Sequence, residues 1–79
     1  MVETRLQMAL RHVASAREIV AAQAALVERL QAARRDATDP LSLLAQFKRT
    51  LAMFEDDLRR IQEEETAPSG THTIRGRWP

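Results

Sequence analysis

The sequence predicts an all-α fold. The expected form is an antiparallel two-helix hairpin, coiled-coil-like, completed to a four-helix bundle by homodimerisation. Three observations predict it. Residues 1–66 are dominated by Ala, Leu, Arg, Glu and Gln, with Pro40 as the one helix breaker and no glycine; these are strong helix formers. Apolar residues recur at alternating spacings of three and four. A single break, "RRDATDPL" at 34–41, divides the pattern in two.

Helix 1 is expected over about residues 3–35. Leu6, Val13, Val20 and Val27 recur every seven residues, and Ala9, Ala16, Gln23 and Leu30 form the companion row. Together they make the a/d pattern of a packed helical seam. A flanking row of His12, Ile19, Leu26 and Ala33 is also largely apolar. So wide a stripe asks for more than one neighbour.

Helix 2 is expected over about residues 40–65. Its seam is Leu44, Phe47, Leu51, Phe54, Leu58 and Ile61, with Leu41, Leu43, Ala45, Ala52 and Met53 on its flanks. Glu55–Arg59 and Asp56–Arg60 stand four apart, acid before base, the order that supports a helix.

The break reads as a turn at 36–39. Arg34 and Arg35 suit a helix C-terminus, where the backbone dipole is negative. Asp39 is the expected N-cap, with Pro40 at the first helical position and Thr38 as an alternative cap. Asp36, Thr38 and Asp39 are all poor interior helix residues, which favours a hairpin over a kinked rod. Charge agrees with this. Residues 1–35 carry six bases and three acids, while residues 52–65 carry two bases and six acids. Folding the chain back brings these halves together, with Arg11 expected near Glu64, His12 near Glu63 and Arg17 near Asp57. Residues 1–66 thus form the hairpin. The tail, "APSGTHTIRGRWP" at 67–79, has no apolar period and is expected to be disordered.

Several function classes are disfavoured. The 12 Lys and Arg against 11 Asp and Glu give no basic excess of the kind nucleic-acid binders show. The absence of cysteine removes disulfides and thiolate metal sites. No apolar run follows the charged N-terminus, and the charge-free stretch "IVAAQAALV" at 19–27 is far too short to span a membrane. The expected location is cytoplasmic, with no membrane contact.

Four features remain as candidate chemistry. Gln23 lies in the seam; it is expected to be a buried polar residue that sets register, pairing with its symmetry mate or resting beside Ala52, with a ligand-binding amide as the functional alternative. His12 and Ser15, three apart, lack an oxyanion site, so no catalytic residues are assigned. The runs "EDD" at 55–57 and "EEE" at 63–65 point around a helix rather than together, so no metal or cofactor site is assigned. In the tail, Arg75 and Arg77 beside Trp78 are expected to belong to a flexible terminus with no defined partner, with docking on a partner, protein ahead of nucleic acid or membrane, as the functional alternative.

"REIVAAQAALVERLQAARRDAT" followed by "LLAQFKRTLAMFEDDLRRI" resembles a group of small alphaproteobacterial helical-hairpin proteins of unknown function. The matching residues include Gln23, Leu26, Leu30, Asp36, Thr38, Leu44, Phe47 and Leu51, within roughly 12–61. Arg34-Arg35 stands where that group has His or Gly before the Asp. The resemblance implies a hairpin and no activity.

The expected function is therefore that of a non-enzymatic, self-associating interaction or scaffold protein, a homodimer that could also dock an unidentified protein partner. The alternative is a small nucleic-acid-associated regulator using Arg5, Arg11, Arg17 and the tail arginines. Nucleic acid is the disfavoured partner, because those helix-1 arginines face the acids of helix 2.

Overall fold

The computed structural model describes residues 2–66; the tail expected to be disordered, 67–79, lies outside the described residues. Among the described residues there are two helices, α1 over Arg5–Ala32 and α2 over Thr38–Thr66. They run antiparallel as a hairpin, with Arg5 beside Glu64 at one end and Gln23 beside Pro40 near the turn.

Both helices differ from expectation at their ends, and hydrogen bonding gives the reason. α1 begins with a capping box. Thr4 Oγ1 accepts from the Gln7 N–H at 3.0 Å, and Gln7 Oε1 accepts from the Thr4 N–H at 2.9 Å. Two backbone donors that would otherwise lack partners are thereby satisfied. The seam period does not reveal this start, but the T-x-x-Q spacing at 4–7 does. α1 ends at Ala32 rather than Arg35. Arg34 turns left-handed, with φ 58°. Its N–H donates to Gln31 O at 3.0 Å, and the Arg35 N–H donates to Leu30 O at 2.8 Å. This pair of bonds is a Schellman motif, with arginine in the position usually held by glycine.

α2 starts at Thr38, two residues before the expected Pro40. Its cap is not Asp39. The Asp36 carboxylate accepts from the Thr38 N–H at 3.0 Å and from the Thr38 hydroxyl at 2.7 Å. The first regular helical bond runs from the Leu41 N–H to Ala37 O at 2.8 Å. Pro40 therefore lies inside the first turn, where its missing N–H has no partner to lose. Asp39 also sits in that turn, near the positive end of the helix dipole.

The expected seam lies between the helices. Ala9, Val13, Ala16 and Val27 of α1 are buried, as is Leu44 of α2, while Phe47, Leu51, Phe54, Leu58 and Ile61 are half-buried. Near the turn, Val27, Ala37 and Leu44 form a core cluster, with Val20, Ala24 and Leu30 packed against it. Towards the other end, the small Ala9 and Ala16 leave room for Phe54 and Phe47.

Opposite charges do meet across the hairpin, but in a shifted register. Arg5 pairs with Glu64 at 2.9 Å and Arg17 with Glu55 at 3.3 Å, in place of Arg11–Glu64 and Arg17–Asp57. The shift follows from the helix ends, since α1 stops earlier and α2 starts earlier than the seam period suggests. Arg11 instead folds back on Glu3, with Nε to Oε2 at 3.0 Å and Nη2 to Oε1 at 2.7 Å. On α2 the ion pairs are Asp56–Arg59 at 3.0 Å and Asp57–Arg60, each three apart rather than four. Glu55 is drawn across to α1, which removes it from the expected pair with Arg59.

Candidate interaction surface

Among the described residues, one side of the hairpin is left open. On α1 its rows are Met8, Ser15 and Ala22, and His12, Ile19 and Leu26, each repeating every seven residues. On α2 Leu43 and Thr50, Phe47 and Phe54, and Met53 complete it. Met8, Ile19, Leu43 and Met53 are exposed here, at 38%, 48%, 40% and 64%, while Val2, Leu10 and Leu41 are exposed away from these rows. Clustering of large apolar side chains on one side of a small protein marks an interaction surface, whereas scattered ones are ordinary. The excess width that the sequence gives helix 1 is thus present and, among the described residues, uncovered.

Two hollows run along this side and meet at His12 and Phe54. The larger, about 320 Å³, lies towards the helix ends. Its floor is Met8, Ala9, Phe54 and Ile61, and its rim carries Arg5, Asp57, Arg60 and Glu64. The smaller, about 120 Å³, is lined by Ser15, Ala16, Ile19, Phe47 and Thr50 beside the shared pair.

His12 is half-buried and its ring lies over Phe54, with centroids 5.2 Å apart and planes tilted by 32°. It packs there rather than pairing with Glu63, because the shifted register carries Glu63 away. Ser15 and His12 line the smaller hollow, and His12 also lines the larger one with Asp57 and Glu64, but those carboxylates accept from Arg60 and Arg5. Among the described residues, no group of three or more His, Asp or Glu is placed to hold a metal ion. No helix among them is long and apolar enough to cross a membrane.

Gln23 is half-buried, and its Nε2 donates to Pro40 O at 3.0 Å. The expected neighbour Ala52 is replaced by the start of α2. The amide ties the two helices of one chain. Three arginines of helix 1 are likewise engaged, as Arg5, Arg11 and Arg17 each hold a carboxylate.

Two carboxyls are held below their ordinary range. The Arg11 guanidinium, by its hydrogen bonds and then its charge, lowers Glu3. The Thr38 hydroxyl, followed by the Thr38 backbone N–H, lowers Asp36. Both effects belong to the ends of helices rather than to a reactive centre.

Comparison with protein-family models, with curated proteins and with solved structures finds no match.

Proposed function

We propose that this protein is a non-enzymatic helical interaction module that self-associates through the open side of its hairpin. The observation that carries this reading is that Met8 and Ile19 are exposed and line the hollows, with exposed Leu43 seven residues before Thr50 on the same row and Met53 at the edge of that side. The hairpin alone seals few large side chains, and the two phenylalanines remain half-open. A second hairpin laid on this side completes a four-helix bundle and gives each helix a second apolar neighbour. A cytoplasmic location and the likeness to alphaproteobacterial hairpin proteins belong to the same proposal. The nucleic-acid alternative gains no support, since the three helix-1 arginines it would use hold carboxylates within the chain.

Sedimentation equilibrium at micromolar concentration tests the reading. The expected mass is twice the 9.0 kDa of one chain. Met53→Glu places a charge on the open side without touching the seam, so it is expected to give a helical monomer. A native monomer with a sharp melt would overturn the proposal.

A further inference from the structure

The charges on the open side are segregated, and this bears on how a second copy sits. Between Ser15 and Leu26 on α1, and between Leu43 and Phe54 on α2, the open rows are uncharged. At the helix-end side the rim carries Arg5, Asp57, Arg60 and Glu64. At the turn side lies Arg29, seven residues beyond Ala22 on the same row.

Two hairpins stack face to face about a twofold axis in two ways. With the axis across the helices, the turns lie at opposite ends and each helix covers its own copy. That arrangement brings Arg5 towards the second copy's Arg29, like charge against like. It also lays Asp57 over Leu43. With the axis along the helices, the turns lie at the same end and α1 of each copy covers α2 of the other. Arg5 then meets the second copy's Glu64, and the uncharged halves coincide. Like charges across an interface disfavour an arrangement more reliably than opposite ones add affinity.

Resting on the self-association proposed above, we infer that the second copy docks with its turn at the same end, α1 of each chain against α2 of the other. The chain has no cysteine, so Arg35→Cys and Glu65→Cys each provide one site for a spin label. Both positions are exposed. Electron–electron distances between labels, measured on samples whose mass is checked by sedimentation, separate the arrangements. With neighbouring helices ~8–10 Å apart, both variants are expected to give label distances under about 25 Å. The opposite arrangement separates both labels by about 40 Å, the length of the 28-residue α1 at ~1.5 Å per residue. Long distances in a sample of dimeric mass would overturn the orientation and leave self-association standing. A monomeric mass for native and labelled protein would overturn both.

Discussion

Gln23 Nε2 donates to the carbonyl oxygen of Pro40 across 3.0 Å, and this bond pins α1 to the first turn of α2. It is the one side-chain-to-backbone hydrogen bond between the helices among the described residues. A polar residue in an apolar seam costs stability unless its groups are satisfied. Here the amide finds a carbonyl that has a second lone pair to offer. The bond also opposes sliding of one helix along the other, since a shift of one turn would leave the amide facing apolar side chains.

Replacing Gln23 by Ala is expected to lower stability by about 1 kcal/mol, the usual net worth of such a bond. Helical content should be unchanged, because alanine is the better helix former. Urea denaturation followed by circular dichroism measures this. An unchanged midpoint would show that the bond does not hold the helices together.

The helical period of the seam was legible, and the ends of the helices were not. Leu44, Phe47, Leu51, Phe54, Leu58 and Ile61 turn inward as their spacing requires, because burial of an apolar stripe dominates everything along a helix body. The ends are settled by a contest between similar polar groups. Asp36 and Asp39 are both competent caps, and local geometry gives the role to Asp36. Register follows from the ends, so the charge partners of Arg11 and Arg17 could not be read from sign alone. The open side was legible as surplus width on helix 1 and as the flanking Leu43 and Met53 of helix 2, and that these flanks share a side emerges once the two helices are placed together.

Arg34 stands in a left-handed conformation at φ 58°. A side chain with a Cβ is disfavoured there by roughly 1 kcal/mol, a cost glycine avoids. Arg34→Gly is therefore expected to raise stability by up to about 1 kcal/mol, less what the freer unfolded chain recovers. Arg34→Val, β-branched at a positive φ, should lower it. Thermal melts of the three proteins give the order Gly above Arg above Val. Any other order would mean that the Schellman turn does not close α1.

The two lowered carboxyls make stability depend on acid. A group whose pKa is depressed on folding binds its proton more readily in the unfolded chain, so its contribution is full above the unfolded value. For Glu3 that ordinary value is 4.5, and for Asp36 it is 3.8. Stability is expected to fall as the pH drops below these values and on through the lower folded ones. Both groups are solvent-exposed, so the loss is modest and salt-sensitive. Asp36→Asn removes the anion and should flatten the lower part of the profile, while Glu3→Gln flattens the upper part. Carboxyl titration by NMR reads each group directly, and ordinary values for both would contradict the capping role of Asp36 and the Arg11 clamp on Glu3.

Packing should outweigh the ion pairs that accompany it. The Arg5–Glu64 pair is well exposed on both sides, at 68% and 62%, and exposed pairs contribute only ~0–1 kcal/mol. Phe54 is half-buried, touches both hollows of the open side and carries the ring of His12. Fully buried Phe→Ala changes cost ~3–5 kcal/mol, so a half-buried ring implies about 2 kcal/mol within one hairpin. Phe54→Ala is thus expected to destabilise several times more than Arg5→Ala, and high salt should affect only the difference between native protein and Arg5→Ala. Self-association adds a second signature, because burial of Phe54 by a second copy makes its loss greater at higher protein concentration. Melts at two concentrations distinguish the cases. A Phe54→Ala penalty that does not grow with concentration would confine the ring's role to a single hairpin.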